Sequence, residues 1–292
     1  MRRILLSLVL FVMAAPAASA TPVVAHITVG GTARNYIIDV PPGAGAKPTI
    51  IMLHGLGDTA VSAMQGTKLP LTGEQQGFVS VFPAGIAKQW NVFQQGQAPQ
   101  AYVQRWQNAG SANPPDDVGF IKALVTDLVA HNITNPKRVY IAGVSAGGFM
   151  AMRMMCEATP LFAGVALYSA SMPSTVGPTC HPAPQPIGMP FMALKGTADH
   201  NEPYTGGWVL DHSLWVWSAQ RLMQFMTTLD GCHGMPVTGP MPGGTPQEHF
   251  ARWNDCSFGP VALVTVTGGG HGIYQVPPPG PTVWGFFKPL HR

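Results

Sequence analysis

Arg138-Val139-Tyr140-Ile141-Ala142-Gly143-Val144-Ser145-Ala146-Gly147-Gly148 is the stretch on which the fold turns. Arg138 to Ala142 is a short, mostly apolar run with β-branched and aromatic members, which predicts a strand, and Phe149 to Cys156 is compatible with a helix. Between them stands Gly-x-Ser-x-Gly. A hydroxyl that attacks a carbonyl must be held clear of a sheet on a strained turn, and small flanking residues let strand and helix approach closely enough to make that turn. The motif alone is weak in a chain with 34 glycines. Its position between a strand and a helix is the context that makes Ser145 a candidate nucleophile.

Working outward, apolar runs bounded by Gly, Pro and Asn predict strands at Val23 to Val29, Tyr36 to Val40, Thr49 to His54, Phe78 to Phe82, Ala163 to Ser169, Phe191 to Lys195 and Val261 to Thr267. Ile121, Leu124, Val125 and Leu128 recur at helical spacing behind Asp116 and Asp117, two residues able to cap a helix. Thr49 to Leu53 is apolar on both faces, as a central strand covered by helices on both sides must be. The expected fold class is therefore α/β with a mostly parallel central sheet flanked by helices.

Two segments, Pro83 to Pro115 and His200 to about Trp217, fit no regular element and are expected to be long loops at the C-terminal ends of strands, where open α/β sheets bind ligands. Their aromatic residues, Trp90, Tyr204 and Trp208 foremost, are candidates for substrate binding. The alternative is that they pack the loops down. A helix is expected from Ser213 to Leu229, with Trp215 and Leu222 on its inner face.

A tetrahedral intermediate needs two backbone N–H groups aimed at its oxyanion. Ala146 follows the nucleophile at a helix N-terminus and supplies one; Leu56, in His54-Gly55-Leu56-Gly57-Asp58 after the third strand, supplies the other. His54 itself is expected to be structural. The chain order serine, acid, histidine selects among ten histidines. His271, in the glycine run that follows the last strand, is the candidate base, and Asp199, the first carboxylate after Phe191 to Lys195, is the candidate acid that orients it. Glu202 and Asp211 are the fallback acids. The chemistry requires neither metal nor cofactor.

The 292 residues are 46% hydrophobic and 10% charged, with net charge +3, which suits a compact domain and leaves no basic block for nucleic acid. Arg2 and Arg3, an apolar core from Ile4 to Met13 and Ala18-Ser19-Ala20 read as a cleaved signal peptide, residues 1–20, with one catalytic domain at 21–292. The apolar core falls short of the roughly 20 residues that cross a bilayer, so no membrane partner is expected after cleavage, and the location is extracellular or periplasmic. Four cysteines in an exported chain favour disulfides. Three connectivities are possible, of which loop closure favours Cys156 with Cys180 and Cys232 with Cys256; four buried thiols are the alternative.

With these residues placed, the chain resembles the secreted polyhydroxybutyrate depolymerase-like and feruloyl or acetylxylan esterase-like enzymes. The resemblance rests on Leu53-His54-Gly55, Asp116 to Ile121, Gly143 to Gly148, Gly196-Thr197-Ala198-Asp199, Pro203-Tyr204, Gly231-Cys232, Gly268 to His271 and Trp284 to Phe287. It implies an α/β-hydrolase fold and a small-molecule or polymeric ester as substrate, with Ser145, Asp199 and His271 matching the triad. Gly272-Ile273-Tyr274 departs from the Trp-Pro pair common in such enzymes. The acyl and alcohol groups and the oligomeric state stay open.

Overall fold

The computed structural model describes residues 21–93, 97–177, 180 and 188–292; the expected signal peptide lies outside them. In chain order the strands are β1 (Val23–Val29), β2 (Thr32–Asp39), β3 (Lys47–Leu53), β4 (Val79–Pro83), β5 (Thr134–Val144), β6 (Gly164–Tyr168), β7 (Phe191–Gly196), β8 (Gly207–Val209), β9 (Leu214–Val216), β10 (Val237–Pro240), β11 (Glu248–Trp253) and β12 (Val261–Val266). The helices are α1 (Ala60–Thr67), α2 (Leu69–Gln76), α3 (Gln100–Asn108), α4 (Asp117–Ala130), α5 (Ala146–Glu157), α6 (Ala219–Leu229) and α7 (Pro279–Phe287).

Ten strands form one sheet in the order β1-β2-β4-β3-β5-β6-β7-β12-β11-β10. The run from β4 to β12 is parallel, and an antiparallel hairpin borders it on each side. Alternation along the central strands explains the layers. Ile50, Met52, Tyr140 and Ala142 pack with α1, α2 and α7 on one face, while Ile51, Leu53, Val139 and Ile141 pack with α3, α4, α5 and α6 on the other. All eight are fully buried, the signature of a sheet covered on both sides.

Asp116 caps α4, its side chain accepting from Gly119 N at 2.7 Å. Asp117 instead turns inward. Its Oδ1 meets Arg34 Nη2 at 2.6 Å and its Oδ2 accepts from Asn91 N at 2.7 Å, so a buried ion pair ties β2 to α4. Cys156 is joined to Cys180 and Cys232 to Cys256.

Three expectations need correction. The segment from Pro83 to Pro115 contains α3, whose Tyr102 and Trp106, four residues apart, are both buried on one side of a glutamine-rich helix. The segment from His200 to Trp217 contains the β8–β9 hairpin. The helix expected from Ser213 begins only at Ala219, after the Ser218 cap, because Leu214 to Val216 are committed to pairing with Gly207 to Val209. Trp215, expected on that helix's inner face, lies on β9 opposite Trp208 and is 42% exposed. In a strand its neighbours Leu214 and Val216 face inward and Trp215 faces out.

Candidate active site

β5 turns directly into α5, and Ser145 occupies the turn at φ 54°, ψ −125°. A non-glycine residue holds such a conformation only when its surroundings enforce it. Ser145 N donates to Tyr168 O of β6 at 2.9 Å, and Phe149 N donates to Ser145 O at 3.1 Å. A Cβ on Gly143 would stand 2.2 Å from Gly147 O, and one on Gly147 would stand 2.3 Å from Leu53 O. Glycine at those two places lets β3, β5 and α5 close on one another, and the Ser145 side chain enters a cleft of about 400 Å³.

His271 lines the same cleft. Among the described residues, no hydrogen bond joins Ser145 to His271. From behind, His271 Nδ1 donates to Asp199 Oδ2 at 2.8 Å and approaches Oδ1 at 3.1 Å, which leaves Nε2 as the ring nitrogen without a partner among the described residues. Asp199 is buried, and burial works to raise its pKa. Hydrogen bonds from His271 and from the Glu202 and Asn201 amides, at 2.8 and 3.0 Å, outweigh that effect and hold the carboxyl below the usual carboxylate range.

The loops that carry Asp199 and His271 are zipped together at the ends of β7 and β12. Ala198 N donates to Gly269 O at 3.0 Å and Gly268 N to Thr197 Oγ1 at 2.9 Å. A Cβ on Gly196 would lie 2.1 Å from Gly269 O, so the approach requires glycine there. Two hydroxyls then hold the far side of the His271 loop. Ser169 Oγ, at the end of β6, accepts from Gly272 N at 3.0 Å and lies 2.9 Å from Tyr274 Oη, which donates to Gly270 O at 2.9 Å. The sequence reading missed this clasp, although it had singled out Gly-Ile-Tyr as unusual.

The Leu56 and Ala146 amides have no backbone acceptor among the described residues. Both residues flank Ser145, one lining the cleft and the other opening α5.

Of the fallback acids, Glu202 is buried against Lys195, with Oε1 3.2 Å from Nζ, and Asp211 is exposed at the tip of the β8–β9 hairpin. His54 uses both ring nitrogens: Nδ1 donates to Gly55 O at 2.7 Å and Nε2 accepts from Gly85 N at 3.0 Å. Burial pushes its pKa down, so it is a neutral strut. Trp90 packs on that ring, with its Nε1 donating to His54 O at 2.8 Å. The structure does not bring Trp90, Tyr204 or Trp208 to the cleft. Trp90 is in the core, Tyr204 Oη meets Thr265 Oγ1 at 2.9 Å, and Trp208 is 54% exposed on β8.

Residues 34–179, half of the chain, match the family described as Esterase PHB depolymerase. A putative esterase, NocK, of Nocardia uniformis subsp. tsuyamanensis is 30% identical over 65% of this chain and 52% of its own. Feruloyl esterase B of Piromyces equi is 26% identical over 82% of this chain and 42% of its own. The chain thus spans about half the length of these curated relatives. Among solved structures, an acetyl xylan esterase from Aspergillus awamori superposes with a TM-score of 0.64 at 16% identity, covering 91% of this chain and 99% of that one, a likeness of α/β-hydrolase fold.

Proposed function

We propose that this chain, which belongs to the Esterase PHB depolymerase family, hydrolyses carboxylic esters through an acyl-enzyme on Ser145. The observation that carries the proposal is the Asp199–His271 pair opening onto the cleft that holds Ser145. Ser145 Oγ attacks the ester carbonyl carbon while its proton passes to His271 Nε2. Negative charge grows on the carbonyl oxygen and is met by the Leu56 and Ala146 amides, two donors that need no reorganisation. The bond to the alcohol oxygen breaks, and His271 returns the proton to that oxygen. Water then repeats the sequence on the acyl-serine, losing its proton to His271 and releasing the acid. Asp199 fixes the tautomer with the proton on Nδ1 and stabilises the imidazolium formed in each half.

Gly55, Leu56, Asp58, Gly66, Ile273 and Gln275 wall the cleft, and among the described residues no Phe, Tyr or Trp joins them. Those walls favour a short aliphatic acyl group, acetyl or hydroxyalkanoyl, over a hydroxycinnamoyl group that would stack on a ring. Residues 21–292 act as one catalytic domain, delivered by a cleaved signal at residues 1–20 to an extracellular or periplasmic compartment. Two disulfides support that destination.

A panel running from short nitrophenyl esters through hydroxycinnamates to polyhydroxybutyrate tests the reading. Wild type should favour the short aliphatic esters, and Ser145→Ala should lose several orders of magnitude in kcat. Undiminished turnover by a folded Ser145→Ala protein would exclude the acyl-enzyme.

A further inference from the structure

A second cavity, of about 580 Å³, opens between α7 and the β10–β11–β12 edge of the sheet. Its volume falls within the range of small-molecule sites. None of the residues around it lines the Ser145 cleft, although β7 and β12 also carry the Asp199 and His271 loops at their ends. The strand periodicity sets its floor: Phe250 and Arg252 project from one face of β11, and Ala262 and Val264 from the same side of β12. Phe286 and Gly285 of α7 form the opposite wall, and Pro277 and Pro278 also line the cavity.

Among the described residues, Arg252 is the only charged one in the walls. Its Nε is buried without a hydrogen-bond partner among the described residues, and its guanidinium lies 5.8 Å from the centre of the Phe286 ring. Burial lowers its pKa. Glu248, on the same face of β11, is occupied elsewhere, its Oε2 accepting from Thr245 N and from Thr245 Oγ1. A half-buried guanidinium with donors to spare, set among aliphatic and aromatic walls, is complementary to a carboxylate bearing an apolar tail.

We propose that this cavity is a binding site for an apolar monocarboxylate of the medium-chain fatty-acid class, with its carboxylate on Arg252 and its tail between Phe250, Val264 and Phe286. The site is separate from the chemistry at Ser145. Gly285 offers a way to close it: a Cβ there meets no atom within 4 Å, and the position is helical, so a longer side chain grows into the cavity without backbone strain.

Isothermal titration calorimetry with octanoate, and with octan-1-ol as a tail without charge, decides the matter. Wild type should bind octanoate saturably. Arg252→Gln should weaken octanoate on the order of ten-fold or more while leaving octan-1-ol unchanged, because charge-assisted hydrogen bonds carry the difference. Gly285→Met should lose both ligands. Circular dichroism and hydrolysis of a short nitrophenyl ester should be unchanged in both variants, which separates a failure here from a failure of the esterase reading. Octanoate affinity moved by neither variant, or no saturable binding to wild type, overturns the proposal.

Discussion

Asp199 gathers three donors on one carboxylate: His271 Nδ1 and the amides of Asn201 and Glu202. Its pKa is held below the ordinary value, so the charge that orients His271 persists through neutral and mildly acid pH and is lost only as pH falls through that depressed value. Asp199→Asn keeps the shape but favours the other imidazole tautomer, a change that costs on the order of 10⁴ in kcat in a serine-protease triad. A comparable loss is expected here on an activated ester, with Asp211→Asn near wild type; the reverse ranking would move the acid. Tyr274→Phe removes the donor to Gly270 O and one side of the Ser169 clasp without opening a cavity. It should lower kcat about ten-fold with KM unchanged, because a displaced His271 damages proton transfer rather than binding. Equal changes in kcat and KM would argue against a positioning role. That Ser145, Asp199 and His271 come near one another was legible because each follows a strand in an order that the proposed chemistry constrains. Ser169 and Tyr274 were not, since a hydroxyl clasp between residues so distant in sequence leaves no periodic trace.

The turn between β5 and α5 is where local sequence and tertiary packing agree most closely. Gly147 lies at the first turn of α5, and its missing Cβ is what lets that helix sit against β3: the added atom would be 2.3 Å from Leu53 O and 2.5 Å from His54 O. Neither neighbour is a flexible side chain that can swing away. Gly147→Ala, a substitution that helix propensity alone would favour, should therefore destabilise by about 3 kcal/mol or more and depress activity with it. Thermal unfolding monitored by circular dichroism checks this; a melting temperature at or above wild type would show that the helix can shift at little cost. The same contrast between local and tertiary signals explains which elements were readable. β1 and β7 announce themselves as apolar runs, whereas α3 hides among Gln100, Gln104 and Gln107 and shows only Tyr102 and Trp106 as its inner face. Leu214-Trp215-Val216 fits a helix as well as a strand, and only its partner Gly207 to Val209 decides between them.

At the scale of the whole molecule, several carboxyl groups are buried where they prefer to stay protonated. Burial, reinforced by Glu74, raises the pKa of Asp39 to about 6, and neither of its carboxyl oxygens has a hydrogen-bond partner among the described residues. Burial raises Asp230 to about 8 against a hydrogen bond from Met189 N at 2.8 Å, leaving Oδ2 without a partner among the described residues. Burial also pushes Glu202 up, although Lys195 pulls the other way. For each of these the folded state keeps a proton that the unfolded chain has already released. Stability must then fall as pH rises from the ordinary carboxyl value towards the raised one. Asp199 has the opposite sign, but its contribution changes only below its unfolded value and leaves the range above pH 5 untouched. The melting temperature should accordingly be higher at pH 5 than at pH 8. Asp230→Asn isolates the largest part, since the amide oxygen still accepts from Met189 N while the titration disappears. Differential scanning calorimetry from pH 4 to pH 8 should show the variant gaining on wild type throughout, with the gap widest at the alkaline end. Parallel curves would mean that Asp230 is ionised in the folded protein and that a donor to Oδ2 compensates its burial.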